Sequence, residues 1–302
     1  MRMQGCNDMA FSRRFRIKAS IVLAISFFIV ISISWATEDS PSVKMPLVAK
    51  SLLLDISQAG PNRLVAVGQR GHILISDDKG ASFRQVIAPT QATLTSLFFL
   101  DEKHGWAGGH DTVILITQDG GETWQKKFYD PDRGKPVLDI LFLDTSYGIA
   151  IGAYGLYLET RDGGVTWEDK YYESLDDPDM GLVHFNAITR SPDGTLIIAG
   201  EAGFLARSSD SGATWEALEK NYLGSYFSAL FTHKGTLIIA GLRGNAFRST
   251  DNGNSWERII TQTLQSINHC VQNSDGRILL SGLGSTLLIS HDELFAPAFR
   301  SA

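Results

Sequence analysis

A single turn motif, written five times at near-constant spacing, limits this chain to a repeat architecture. The first copy is Ser76-Asp77-Asp78-Lys79-Gly80-Ala81-Ser82-Phe83, and the second is Thr117-Gln118-Asp119-Gly120-Gly121-Glu122-Thr123-Trp124. Further copies run from Thr160 to Trp167, from Ser208 to Trp215 and from Ser249 to Trp256. A decayed sixth begins Ser290-His291-Asp292 and loses its Gly and its Trp. The central residues Asp78, Asp119, Asp162, Asp210, Asp251 and Asp292 are separated by 41, 43, 48, 41 and 41 residues. A fixed period of ~40 residues with a turn in every unit is the signature of repeated supersecondary units.

Each unit carries the same supporting pattern. A Gly stands eight residues ahead of each turn box (Gly68, Gly109, Gly152, Gly200, Gly241, Gly282). In most copies a second Gly follows three residues later, as at Gly71, Gly155, Gly203 and Gly244. Two residues between glycines, flanked by apolar runs such as Leu64-Val65-Ala66-Val67 and His72-Ile73-Leu74-Ile75, predict a tight β-hairpin. An earlier apolar run, such as Leu138-Asp139-Ile140-Leu141-Phe142, and a last one after the Trp make four strands per unit. That is the content of a propeller blade. The expected fold is therefore all-β, a six-bladed β-propeller of four-stranded antiparallel blades, with seven blades as the alternative. The sixth unit lacks an evident fourth strand. Ser42-Val43-Lys44-Met45-Pro46-Leu47-Val48 is expected to supply it and to close the ring, with the segment from Phe295 to Arg300 as the alternative.

Within the box, Asp suits a turn because its carboxylate accepts nearby backbone N–H groups. Gly at the fifth position permits a positive φ, and the closing aromatic buries beneath the turn. Five copies of one carboxylate spread round a ring serve no single reaction centre, so these Asp residues are expected to be structural. No catalytic or metal-binding residue and no cofactor is expected. The seven His residues show no ligand spacing. No Gly-x-Ser-x-Gly elbow and no phosphate loop occurs.

The first 36 residues differ from the rest. Arg13, Arg14, Arg16 and Lys18 precede an apolar run from Ile21 to Ile33, and Ser34-Trp35-Ala36 follows. This is the layout of a secretory signal peptide (1–36), with cleavage near Ala36 and the propeller over 37–302. An uncleaved anchor is the alternative. The expected location is the periplasm or the exterior. Without that leader the chain has 22 Lys/Arg and 32 Asp/Glu, a net charge of −10. So acidic a body is unsuited to nucleic acid, which needs clustered cations. Cys6 lies in the leader, which leaves Cys270 without a partner for an intrachain disulfide.

The boxes resemble the Asp-box (BNR) repeats of sialidases and other propellers. The longer units resemble something narrower. Phe98-Phe99-Leu100-Asp101, His104-Gly105-Trp106-Ala107-Gly108-Gly109 and the run from Ile114 to Trp124 are similar to the repeat of the photosystem II assembly and stability factors. Leu141-Phe142-Leu143-Asp144 and Asp162-Gly163-Gly164-Val165-Thr166-Trp167 extend the match, which covers roughly 42–292. The resemblance implies a lumenal or periplasmic propeller that binds a membrane-protein assembly intermediate without catalysis. That family has seven blades, whereas six units are counted here.

Contacts with such a protein partner are expected on the face carrying the Gly hairpins. The residues there are Gln69, Arg70, His110, Asp111, Ala153, Tyr154, Glu201, Ala202, Leu242, Arg243, Leu283 and Gly284. The extra length between the third and fourth boxes adds Tyr171, Tyr172 and Met180. Asp176, Asp177 and Asp179 in the same stretch lack the Gly and terminal Glu of a calcium loop. The protein is expected to be a monomer. A sialidase-like glycoside hydrolase is the competing reading. It would need three substrate-binding arginines, a Tyr–Glu nucleophile pair and an acid, and no such linked set is evident.

Overall fold

The computed structural model describes residues 39–289 and 298–299, with side chains through residue 284. The leader and Asp292 lie outside the described residues. No α-helix occurs among the described residues. Six four-stranded antiparallel sheets follow one another, each formed by four strands consecutive in the chain. The first comprises Leu53–Gln58, Leu64–Gly68, Ile73–Ser76 and Arg84–Val86. Meander connectivity follows directly from the repeat, because short turns join only antiparallel neighbours.

The innermost strands of the six sheets are Leu53–Gln58, Leu94–Phe99, Val137–Phe142, Phe185–Arg190, Tyr226–Phe231 and Ile267–Gln272. Each packs on the next in that order, and no such packing returns the sixth to the first among the described residues. The hydrophobic core is accordingly divided into clusters between sheets. Val65, Val67, Ile73 and Ile75 of the first sheet meet Leu94, Leu97, Ala107 and Leu115 of the second. The pattern repeats round the molecule. The second strands are buried on both faces and read as unbroken apolar runs, as in Leu196–Gly200 and Leu237–Gly241.

The boxes are built as the turn chemistry requires. In the second, Asp119 accepts the Thr123 N–H at 2.9 Å and the Thr123 and Thr117 hydroxyls at 2.5 and 2.8 Å, while Thr117 Oγ1 accepts the Gly121 N–H. The same set surrounds Asp78, Asp162, Asp210 and Asp251. Hydrogen bonds from the Thr166 hydroxyl and N–H hold Asp162 down at about 2. A carboxylate so engaged is a corner staple.

One expectation is corrected here. Ser42–Val48 does not enter the sixth sheet. Its polar groups are taken by the first: Ser42 N–H donates to the Ala88 carbonyl, and the Gln85 amide bridges the Val43 carbonyl and the Met45 N–H. The fourth strand of the sixth sheet is Ala298–Phe299, paired with Ser285–Ile289, from the alternative segment. Gln85 satisfies the 42–48 backbone locally, which leaves it no ladder to offer another sheet. Between the sixth and first sheets, no packing as extensive as that at the other five junctions occurs among the described residues.

Candidate functional site

The Gly turns all dock on the connection that enters their own innermost strand. Gln69, His110, Ala153, Glu201, Leu242 and Leu283 each donate a backbone N–H to the carbonyl of Leu52, Thr93, Pro136, His184, Ser225 and Ser266. This contact explains the leading glycine. A Cβ on Gly68 or Gly152 would collide with the carbonyl oxygen of Leu52 or Pro136. The turns and the entering connections therefore share one face.

The second residue of each turn is the unexpected part. Arg70, Asp111, Tyr154, Ala202 and Arg243 all adopt φ between 51° and 58°, the left-handed region. Only Gly visits it without penalty, and for other residues it costs ~1–2 kcal/mol. Five copies of that conformation orient five non-glycine side chains in the same way round one face. In the second unit Thr112 takes the closing-Gly position at φ 49°, anchored by its hydroxyl on the Lys135 carbonyl.

Arg70 and Arg243 are exposed and have no ion-pair partner among the described residues. Tyr154 is 53% exposed. Its N–H donates to His184 Nδ1 at 3.0 Å, its ring stands edge-on to that imidazole at 4.5 Å, and Lys135 Nζ donates to its carbonyl. Glu201 accepts the His184 N–H. Asp111, through its carbonyl, holds the Asp130 N–H of the Pro131–Arg133 turn. Thus Tyr154, Lys135, His184 and Glu201 form one polar-aromatic sector. Gln69, Arg70 and Arg243 are separate cationic or polar positions, and His110 and Asp111 project exposed between them.

The stretch 171–181 divides its residues between solvent and packing. Tyr171 is exposed, its hydroxyl donating to Asp176. Tyr172 is half-buried, its single hydroxyl proton shared between Glu159 at 3.0 Å and the Gly212 carbonyl at 3.1 Å. Asp177 is 2% exposed and pairs with Lys220 Nζ at 2.6 Å. Its other oxygen accepts the Asp179 and Met180 N–H groups. Burial pushes the Asp177 carboxyl up, but Lys220 and these N–H groups outweigh it and hold it below the usual range. Both oxygens are engaged, so the acidic run is a folded clamp against the fourth sheet. No group of metal-ligating side chains occurs among the described residues.

Sequence reasoning missed two carboxylates on innermost strands. Asp55 and Asp139 stand at the same strand position, both half-buried. Asp55 accepts the N–H of Leu97 at 2.7 Å, and Asp139 that of Ile188 at 2.8 Å. Each also caps the N–H of the residue that follows it. Desolvation raises both to about 7, and Asp139 feels the Asp55 charge as well. The signal available was an acid inside an apolar run, Leu54-Asp55-Ile56 and Leu138-Asp139-Ile140. Ser228 occupies the same position and accepts the Cys270 N–H. These groups latch one sheet to the next. A Tyr–Glu set also exists: Tyr147 and Tyr172 both donate to Glu159, at 3.4 and 3.0 Å. Glu159 is 5% exposed and packed beneath them.

A face of evenly spaced turns on a scaffold of Asp-box sheets defines a β-propeller of the BNR type. The family model described as photosynthesis system II assembly factor YCF48 matches residues 131–293, more than half of the chain, and the BNR/Asp-box repeat model matches 115–126. The chain belongs to the YCF48 family of photosystem II assembly factors. The photosystem II stability/assembly factor HCF136 of Cyanidioschyzon merolae is 39% identical over 54 residues, spanning 17% of this chain and 12% of that protein. Among solved structures, YCF48 bound to a D1 peptide superposes with TM-score 0.65 at 19% identity, covering 86% of this chain and 84% of the other. A GH74 enzyme of Niastella koreensis gives 0.62 at 15% identity, covering 82% of this chain and 46% of the enzyme. At such identities these likenesses concern the fold alone.

Proposed function

We propose that this protein is a non-catalytic scaffold that captures a polypeptide of a membrane-protein complex during assembly, acting as a monomer outside the cytoplasm. The observation that carries this reading is the set of left-handed turn residues. Strain held at matching positions is retained where the side chains serve a purpose. Here those side chains include two guanidinium groups without an ion-pair partner among the described residues and an exposed Tyr. Cations and an aromatic on one face suit a peptide bearing carboxylate or carbonyl groups. Family membership supports an assembly role, and a polypeptide is the kind of partner named for the D1-bound relative. Gln69, His110, Asp111, Glu201 and Tyr171 are placed at the margins of the contact. Tyr172 serves packing.

A hydrolase, the kind of protein the GH74 neighbour is, stands as the competing reading. Against it, the oxygens of Asp55 and Asp139 are occupied by backbone N–H groups, and Glu159 is buried beneath two tyrosines. A reactive acid must reach its substrate. The test has two arms. Capture of an exported or membrane-protein partner should fall sharply in a variant carrying Arg70→Ala, Tyr154→Ala and Arg243→Ala. Unchanged capture removes this face from the proposal. A panel of chromogenic glycosides should give no turnover, and clear hydrolysis would favour the enzyme.

A further inference from the structure

His184 joins the turns of two neighbouring sheets. Its backbone carbonyl accepts the Glu201 N–H at 2.9 Å, in the turn of its own sheet. Its ring reaches the other way, and Nδ1 accepts the Tyr154 N–H at 3.0 Å in the turn of the preceding sheet. A neutral imidazole has one donor and one acceptor nitrogen. With Nδ1 accepting, the ring proton sits on Nε2. One unit further on, the corresponding N–H, that of Ala202, meets Ser225 Oγ at 3.4 Å. A hydroxyl keeps its acceptor role at any ordinary pH. Of these two links, only the one to Tyr154 depends on an acceptor that a proton can remove.

We infer that His184 is a positioning residue for capture, a proton-sensitive latch on the Tyr154 turn; the inference rests on the function proposed above. Neutral, the ring holds a backbone at φ 54°, a conformation that residues with a Cβ resist, and the Tyr154 side chain stays exposed on the face. A proton added at Nδ1 sets donor against donor at 3.0 Å, and the two must part. Glu201 Oε2 is placed to receive the new N–H. It lies 3.8 Å from Nδ1 and already accepts the His184 backbone N–H at 3.3 Å. A small rotation of the ring exchanges a neutral bond to Tyr154 for a charge-assisted one to Glu201. That pairing also offsets the new charge, so the face gains no extra cation to draw in a partner. The remaining charged groups nearby do not take over either role. Lys135 Nζ donates to the Tyr154 carbonyl, and Arg133 beyond it is held by Asp130 and Asp169. On the connection before His184, Asp176 and Asp177 are engaged by Tyr171 and Lys220, and Asp179 is exposed. The His184 side chain is 33% exposed, so water can deliver the proton. Imidazole is the side chain that ordinarily changes charge between about pH 5 and 8.

The test uses the full chain with isotope-labelled histidine and tyrosine. Imidazole nitrogen shifts in NMR, assigned by their loss in His184→Asn, should show the proton on Nε2 alone at about pH 8 and on both nitrogens at about pH 5.5. The Tyr154 amide signal should move with the same midpoint. Capture is read as the anisotropy of a short labelled peptide bearing glutamates. Its affinity for the native chain should fall about fivefold on acidification, the worth of one hydrogen bond. His184→Asn offers an uncharged acceptor near the Nδ1 position and should lose no affinity on acidification. His184→Ala lacks the acceptor and should bind weakly at both pH values. Glu201→Gln removes the receiving carboxylate and should shift the loss to lower pH. His110, Asp55 and Asp139 are present in every variant, so their own titrations cancel in the comparison. A proton on Nδ1 at the higher pH, a Tyr154 amide indifferent to the His184 titration, or an equal acid loss in His184→Asn overturns the inference. A native chain that binds the peptide at neither pH counts against capture on this face, whereas the NMR titration decides the latch by itself, so the two failures are told apart.

Discussion

Replacing Ala202 with glycine should make this protein more stable. Ala202 holds φ at 51°, a conformation that costs an L-residue ~1–2 kcal/mol. Glycine removes that penalty but adds ~0.5–1 kcal/mol of unfolded-state freedom. The balance is a gain of roughly 0.5–1 kcal/mol. For a domain of this size such a gain raises the melting temperature by about 2–4 °C per kcal/mol. Arg70→Gly and Arg243→Gly should gain similarly, because neither guanidinium has an ion-pair partner among the described residues. Tyr154→Gly should come out near neutral. Its ring contact with His184 is lost, worth ~0.5–1.5 kcal/mol, although the backbone bond to Nδ1 remains. Scanning calorimetry on the four variants, paired with partner capture, separates the roles. Ala202→Gly should keep capture, while the other three gain or hold stability and lose it. A fall in melting temperature for Ala202→Gly, Arg70→Gly and Arg243→Gly together would refute the idea that the turn tips are strained.

Stability should fall as pH rises from about 4 to about 7, because Asp55 and Asp139 titrate near 7 when folded and near 3.8 when unfolded. The folded state therefore binds the extra protons in that window. Urea unfolding at several pH values should show a flatter profile for the Asp55→Asn, Asp139→Asn double variant, and an identical slope would count against the assignment. At the acid end the boxes act in the opposite sense. Asp162 and Asp251, held at about 2, contribute stability above pH 4 that is lost as pH drops through their folded values. Asp119→Ala removes three turn hydrogen bonds and should destabilise by about 1–3 kcal/mol in chemical denaturation. Lys220→Ala leaves the buried Asp177 unpaired and should cost about 3–5 kcal/mol. Adding Asp177→Asn should recover part of the loss, and no recovery would argue against a charge effect.

What was readable without coordinates is what closes over a few residues. Asp119 reaches Thr117 and Thr123, and Gly109, His110 and Thr112 build one turn, so spacing alone identifies them. Four strands per unit follow from the same short period.

Contacts across longer stretches of chain were decided only by folding. The amide of Gln85 draws in Val43 and Met45, which kept residues 42–48 from the sixth sheet. Asp55 finds Leu97 and Asp139 finds Ile188 one or more units away, and an isolated acid in an apolar run does not announce its acceptor role. Lys220 reaches back to Asp177 across a gap in sequence that no turn motif marks. Local hydrogen bonding writes the repeat into the chain, whereas the packing of one sheet against another depends on surfaces that exist only once each sheet has formed.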